Sequence, residues 1–169
     1  LDPTITEAEV EESAAKYRAA LASVARLTAE VNQTELVFSP ELADYPELRA
    51  AETELFAARR RSLDESVRLI AESIQLVRDE LSISQSLSEI GAASNVELLR
   101  LKRQLVDLEL KQAEVKSEYL VRAREELAKA NAEVNSLLPV VRGRSDSLAR
   151  LTLRSPVRGI VKNIEVSTI

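Results

Sequence analysis

Apolar and small residues recur at alternating steps of four and three along most of this chain, and few folds accept that pattern. Val10, Ala14, Tyr17, Leu21, Val24, Thr28 and Val31 form one such series. Leu63, Val67, Ile70, Ile74, Val77 and Leu81 form a second, and Leu99, Val106, Ala113, Leu120, Leu127, Val134, Val141 and Leu148 keep a strict seven-residue period in a third. A heptad places one stripe of a helix against a partner helix, so each series reads as a strand of a coiled coil. Helices are expected over about 4–36, 47–90 and 95–150. A second stripe on the middle helix, Leu48, Leu55, Leu69, Leu76, Ile83 and Ile90, recurs at multiples of seven on a neighbouring face.

Local signals set the breaks. Asp2-Pro3 has the form of an N-cap followed by an N1 proline. Pro40 and Pro46 bias the residues before them away from the helical region, which makes 38–46 a connector. Gly91 suits a left-handed helix end, and Ser94 with Glu97 three residues on has the form of a capping box. Pro139 and Gly143 fall inside the third series, whose period survives both, so a single helix kinked near Leu138 is expected.

If the second and third helices are antiparallel about 91–95, pairing residues whose numbers sum to 187 sets Leu81 by Val106, Ile74 by Ala113 and Val67 by Leu120. At about 1.5 Å per residue the three helices measure roughly 48, 65 and 80 Å. The expected architecture is all-α: an elongated antiparallel coiled-coil hairpin, with the extra N-terminal helix giving a three-helix base that narrows to a two-helix tip. The first helix should cover the second only to about residue 68. Leu69, Leu76 and Ile83 then have no third helix above them and are candidate contacts for a neighbouring protomer. After Arg150, Leu151-Thr152-Leu153 and 159–166 alternate like short strands, giving a β tail over 151–169.

Composition excludes several functions. Aromatics are 3% of 169 residues and charged residues 30%, which suits an elongated helical object better than a wide core. The net charge of −5 argues against nucleic acid, and the one basic run, Arg59-Arg60-Arg61, reads as a solvated helix face. No apolar stretch approaches a membrane span. With no Cys there is no thiol chemistry, and with no His the commonest general base and zinc ligand are missing. The carboxylate pairs Glu11-Glu12 and Glu125-Glu126 are surface neighbours on helices that do not face each other. No catalytic, cofactor or metal residues are expected, and an enzyme is a poor fit.

The tail Leu153-Arg154-Ser155-Pro156-Val157-Arg158-Gly159-Ile160-Val161 resembles the start of the second lipoyl half-motif of HlyD-type membrane fusion proteins, the periplasmic adaptors of bacterial secretion and efflux machines. Leu1-Asp2-Pro3-Thr4 resembles the exit from the first lipoyl half. The segment Leu87-x-x-x-Gly91-x-x-Ser94-x-x-Glu97-Leu98 resembles the hairpin tip that touches a TolC-like outer-membrane channel, although Ile83 stands where efflux adaptors carry Arg. The broken first helix is more similar to type I secretion adaptors than to two-helix drug-efflux adaptors. The resemblance implies a periplasmic arm, anchored in the inner membrane through a segment outside this sequence. It would work in a ring, expected hexameric, between an ABC transporter and the channel, with Leu87, Gly91, Ser94 and Glu97 at the docking tip. A drug-efflux adaptor and an unrelated scaffold coiled coil are the competing readings; the scaffold leaves the β tail unexplained.

Overall fold

A computed structural model describes residues 3–151, with side chains from 8 to 147. Three long helices run in the order α1 (Pro3–Asn32), α2 (Pro46–Glu89) and α3 (Asn95–Leu151), with a short 3-10 helix at Pro40–Leu42 between the first two. α3 continues without interruption through Pro139 and Gly143. The expected tail strands lie outside the described residues.

α1 ends four residues earlier than its sequence suggests. Gln33 adopts φ 56°, its N–H donates to Glu30 O, and Thr34 N–H donates to Ala29 O at 3.0 Å. This is a Schellman ending built on glutamine instead of the usual glycine. The connector then folds back: Thr34, Glu35 and Val37 line a shallow groove together with Leu21, Val24 and Thr28 of α1. Leu21, Val24 and Thr28 of the stripe expected to face a partner helix thus border the returning chain, and the stripe's members are half-buried or, for Thr28, exposed. The residues of α1 that are fully enclosed are mostly small or charged: Ser13, Ala20, Ala22, Arg26, Leu27, Ala29 and Glu30. Small side chains let α1 lie close along its neighbours. Ser39 caps the 3-10 helix by accepting from Glu41 N–H, and Leu42 is fully buried beneath it. Phe38 and Tyr45 lie under the guanidinium groups of Arg49 and Arg18, which pins both ends of the connector.

Where the helices overlap follows from their cross-bonds. Arg144 on α3 donates to Glu9 O and Ser13 Oγ of α1, and Tyr17 donates to Glu41 of the connector. Further along, Ser23 and Arg26 meet Glu52 of α2, and Glu30 meets Arg59. α1 therefore packs more extensively on α3 than on α2. Three helices run side by side around the Ser23–Glu52 and Glu30–Arg59 levels. The expected three-helix base is corrected to a three-helix waist: below it α1 pairs with α3, and above it α2 pairs with α3. The cause is the connector, which brings the chain back only as far as the middle of α1 before Pro46 starts α2.

The waist is held by charge. Arg26, 5% exposed, donates to Glu30 at 2.7 Å and to Glu52 at 2.5 Å. Arg59 donates to Glu126 on α3 at 2.7 Å, and its Nε lies 3.3 Å from the second oxygen of Glu30, which has no well-aligned hydrogen bond. Tyr119 packs beside this group, and burial, with the negative charge of Glu30, pushes its phenol up to about 12. Arg59, read from sequence as part of a solvated face, is instead largely enclosed. Removing one partner of such a buried pair costs far more than breaking an exposed one, because it leaves an uncompensated charge inside.

The distal seam also differs from expectation. On α2 the expected residues are inside: Ile74 and Val77 are buried, and Val67, Ile70 and Leu81 half-buried. On α3 the strict seven-residue column is not the seam, since Leu99 is 66% and Val106 61% exposed. Leu98, Leu101, Leu105, Leu108, Gln112, Val115 and Tyr119 face inward, with Leu101 fully buried. The register summing to 187 is therefore corrected. Gln112 donates to Val67 O at 3.3 Å, and Arg78 pairs with Glu109 at 2.7 Å. These two bonds fall on either side of the register in which Leu81 stands level with Leu101 and Ile74 with Leu108, and the burial of Leu101 against the exposure of Val106 selects it. A residue recurring every seventh position marks only one column of a helix. The column that alternates steps of three and four is the one that fills a partner's groove.

Candidate partner-contact surface

The far end of the hairpin is built by two complementary caps. Gly91 sits at φ 73° with open space where a Cβ would lie, so backbone conformation alone demands glycine there. Gly91 N–H donates to Ser88 O and Ala92 N–H to Leu87 O at 2.8 Å, a second Schellman ending. Three residues on, Ser94 Oγ accepts from Val96 N–H at 3.2 Å, and the Ser94 carbonyl takes the first α3 amides. Ser94 is the N-cap, as its sequence suggests.

Glu97 does something else. Instead of reaching back to complete a capping box, its carboxylate grips Arg100 through three contacts, the shortest 2.6 Å. That bond holds the Glu97 carboxyl below the usual carboxylate range and raises Arg100. A guanidinium fork one turn along is a stronger partner than a single amide.

Leu87 is 42% exposed, and its carbonyl is engaged in the turn. Leu87, Gly91 and Ser94 thus share the turn, while Glu97 belongs to the first turn of α3. Ile90 and Val96 are each 75% exposed, the most prominent apolar side chains of the tip, and neither was singled out as a tip contact from sequence. The available signal was Val96 at the second position of a capped helix, where a side chain has no partner helix to meet. On the shaft, Leu69, Leu76 and Ile83 are all exposed, in one column of α2 above the waist.

Among the described residues no group of three or more metal-type ligands occurs, and no helix is long and apolar enough to cross a membrane. Glu11 and Glu12 pair with Arg18 and Lys16, and Glu126 with Arg59, so these carboxylates are occupied as ion-pair partners. The clefts along the shaft are open to solvent. One at the waist, of about 270 Å³, is lined by Glu30, Arg60, Asp64, Lys116 and Tyr119 with apolar neighbours.

Among the described residues the chain is an elongated helical hairpin with a third helix at its waist and a capped, partly apolar tip. The crystal structure of the soluble domain of LipC, a membrane fusion protein of a type I secretion system, has this fold. It superposes with a TM-score of 0.80 over 94% of this chain and 97% of that one, at 19% sequence identity. No family model matches the chain, and neither does any curated protein sequence.

Proposed function

We propose that this chain is the coiled-coil arm of a periplasmic adaptor in a type I secretion system, bridging an inner-membrane ABC transporter and a TolC-like outer-membrane channel. The observation that carries the reading is the fold shared, nearly end to end, with the soluble domain of a type I secretion membrane fusion protein. The lipoyl-like sequence at 153–161 supports it independently. In this reading the arm performs no catalysis. It stands with others in a ring, six in the family, anchored to the inner membrane through sequence outside this chain. The rings of arms enclose a conduit for an exported protein, and ATP hydrolysis in the transporter drives transport.

The tip formed by Leu87, Gly91 and Ser94 is the proposed docking point. Leu87 offers an apolar contact, and the Ser94 hydroxyl, which accepts from Val96, keeps its own proton free to donate. One such hydrogen bond contributes about 1 kcal/mol, but repetition around a ring raises the avidity steeply. Leu69, Leu76 and Ile83 are proposed as contacts between neighbouring arms. The test is the double replacement Leu87→Asp/Ser94→Asp in cells with the native channel partner. Export should cease while adaptor abundance, helicity and transporter binding persist; normal export from that variant overturns the docking assignment.

A further inference from the structure

Above the waist, the hairpin carries two apolar stripes on opposite flanks. Two cross-helix ion pairs mark the flanks: Arg78–Glu109 at 2.7 Å spans one, and Glu80–Arg100 at 4.0 Å spans the other. With 3.6 residues per turn, residues three or four apart share a helix face. Leu76 and Ile83 therefore lie on the Glu80 flank, and Val106 lies on the Glu109 flank. Both stripes are well exposed: Leu76 70% and Ile83 62% on α2, with Leu99 and Val106 as given above on α3. In the register that sets Leu81 level with Leu101, Leu76 is level with Val106, Ile83 with Leu99, and Leu69 with Ala113.

The charges beside the stripes are opposite in sign. Around Leu76, one turn either way, stand Glu72, Asp79 and Glu80. Around Val106 stand Lys102 and Arg103, neither of which has an ion-pair partner among the described residues, with Glu109 turned to Arg78. Moving one hairpin sideways onto the next would bring Leu76 to Val106 and Ile83 to Leu99. It would also bring Asp79 to Arg103 and Glu80 to Lys102. Folding the α2 flank onto its own copy would set acid against acid.

We infer that the α2 flank of one chain docks on the α3 flank of a second copy, with the same polarity, through Leu69, Leu76 and Ile83 against Ala113, Val106 and Leu99. This deepens the contact between neighbouring arms and rests on that reading. Such an interface is heterologous, so it leaves both outer flanks open to further copies and builds rings or open arrays, never a closed dimer. The two flanks are specific to each other because each rejects itself by charge.

The chain has no cysteine, which makes disulfide trapping clean. Leu76→Cys/Val106→Cys, oxidised in intact cells, should give a ladder of covalent multimers, while each single variant stays monomeric. Adding Asp79→Lys/Glu80→Lys should remove the ladder, and adding Lys102→Glu/Arg103→Glu to that chain should restore it. Dimers from Leu76→Cys alone, or no ladder from the pair, overturn the interface. Either of those results leaves tip docking standing, because docking is read separately by export from the Leu87/Ser94 variant.

Discussion

Arg59 on α2 and Glu126 on α3 are bonded at 2.7 Å, at the level where α1 comes to its end against both. The same guanidinium lies 3.3 Å from Glu30, whose side chain is fully enclosed. Arg59→Ala should therefore cost more than its partial exposure suggests, because it leaves one oxygen of a buried carboxylate facing no cation while Arg26 holds only the other. We expect about 2–3 kcal/mol, below the usual figure for breaking a fully buried pair because 22% of the Arg59 side chain remains in water. Urea unfolding followed by helicity measures it, and Arg60→Ala, on the exposed neighbour, should change stability by less than about 0.5 kcal/mol.

The two Schellman endings make opposite predictions. Gly91→Ala forces a Cβ into the left-handed region and should destabilise by about 1 kcal/mol. Gln33 already bears that strain at φ 56°, so Gln33→Gly should stabilise by a similar amount. Thermal melts of the two variants should shift in opposite directions.

The corrected seam separates two adjacent residues. Leu105→Asp places a charge between α2 and α3 and should melt the distal hairpin, whereas Val106→Asp should leave helicity unchanged. Leu101→Ala, at a fully buried site, should cost about 2–4 kcal/mol. Circular dichroism and limited proteolysis between residues 70 and 115 distinguish these cases.

Tyr119 gives the waist an alkaline limit. Its folded pKa, raised to about 12 by burial and by Glu30, lies above the ordinary value of 10.0. A raised value means that its share of stability is complete below pH 10 and is lost as pH climbs toward 12. Ultraviolet titration should show one phenolate appearing only near pH 12 while the arm is folded. Tyr119→Phe should abolish that transition and flatten the fall in stability over the same window.

The sequence made the hairpin legible because α2 writes its seam in alternating steps, and because Gly91 and Ser94 each have a single physical use at a helix end. It misled on α3 because Leu99, Val106 and Ala113 form an unbroken apolar column, while the true seam is diluted by Gln112 and Tyr119. An outward stripe and an inward one look alike when both are apolar. The waist was illegible for the reverse reason. Arg59 reads as part of a solvated face, and nothing sets Arg26, Glu30 and Glu52 apart from other helix charges, until the returning connector stacks three helices around them. Gln33 offered no signal at all, since glutamine is not a residue that marks a left-handed helix end. Glu97 had the right spacing for a capping box, but Arg100 one turn later outcompeted the backbone amide.

Because α1 stops at Asn32, the arm is a beam whose cross-section changes abruptly along its length. Flexural rigidity climbs steeply with the number of rods bound together, so lateral load at the turn concentrates its curvature just above the step, between residues 63–70 of α2 and 112–119 of α3. The distal half then behaves as a compliant reed springing from the stiffer three-helix waist.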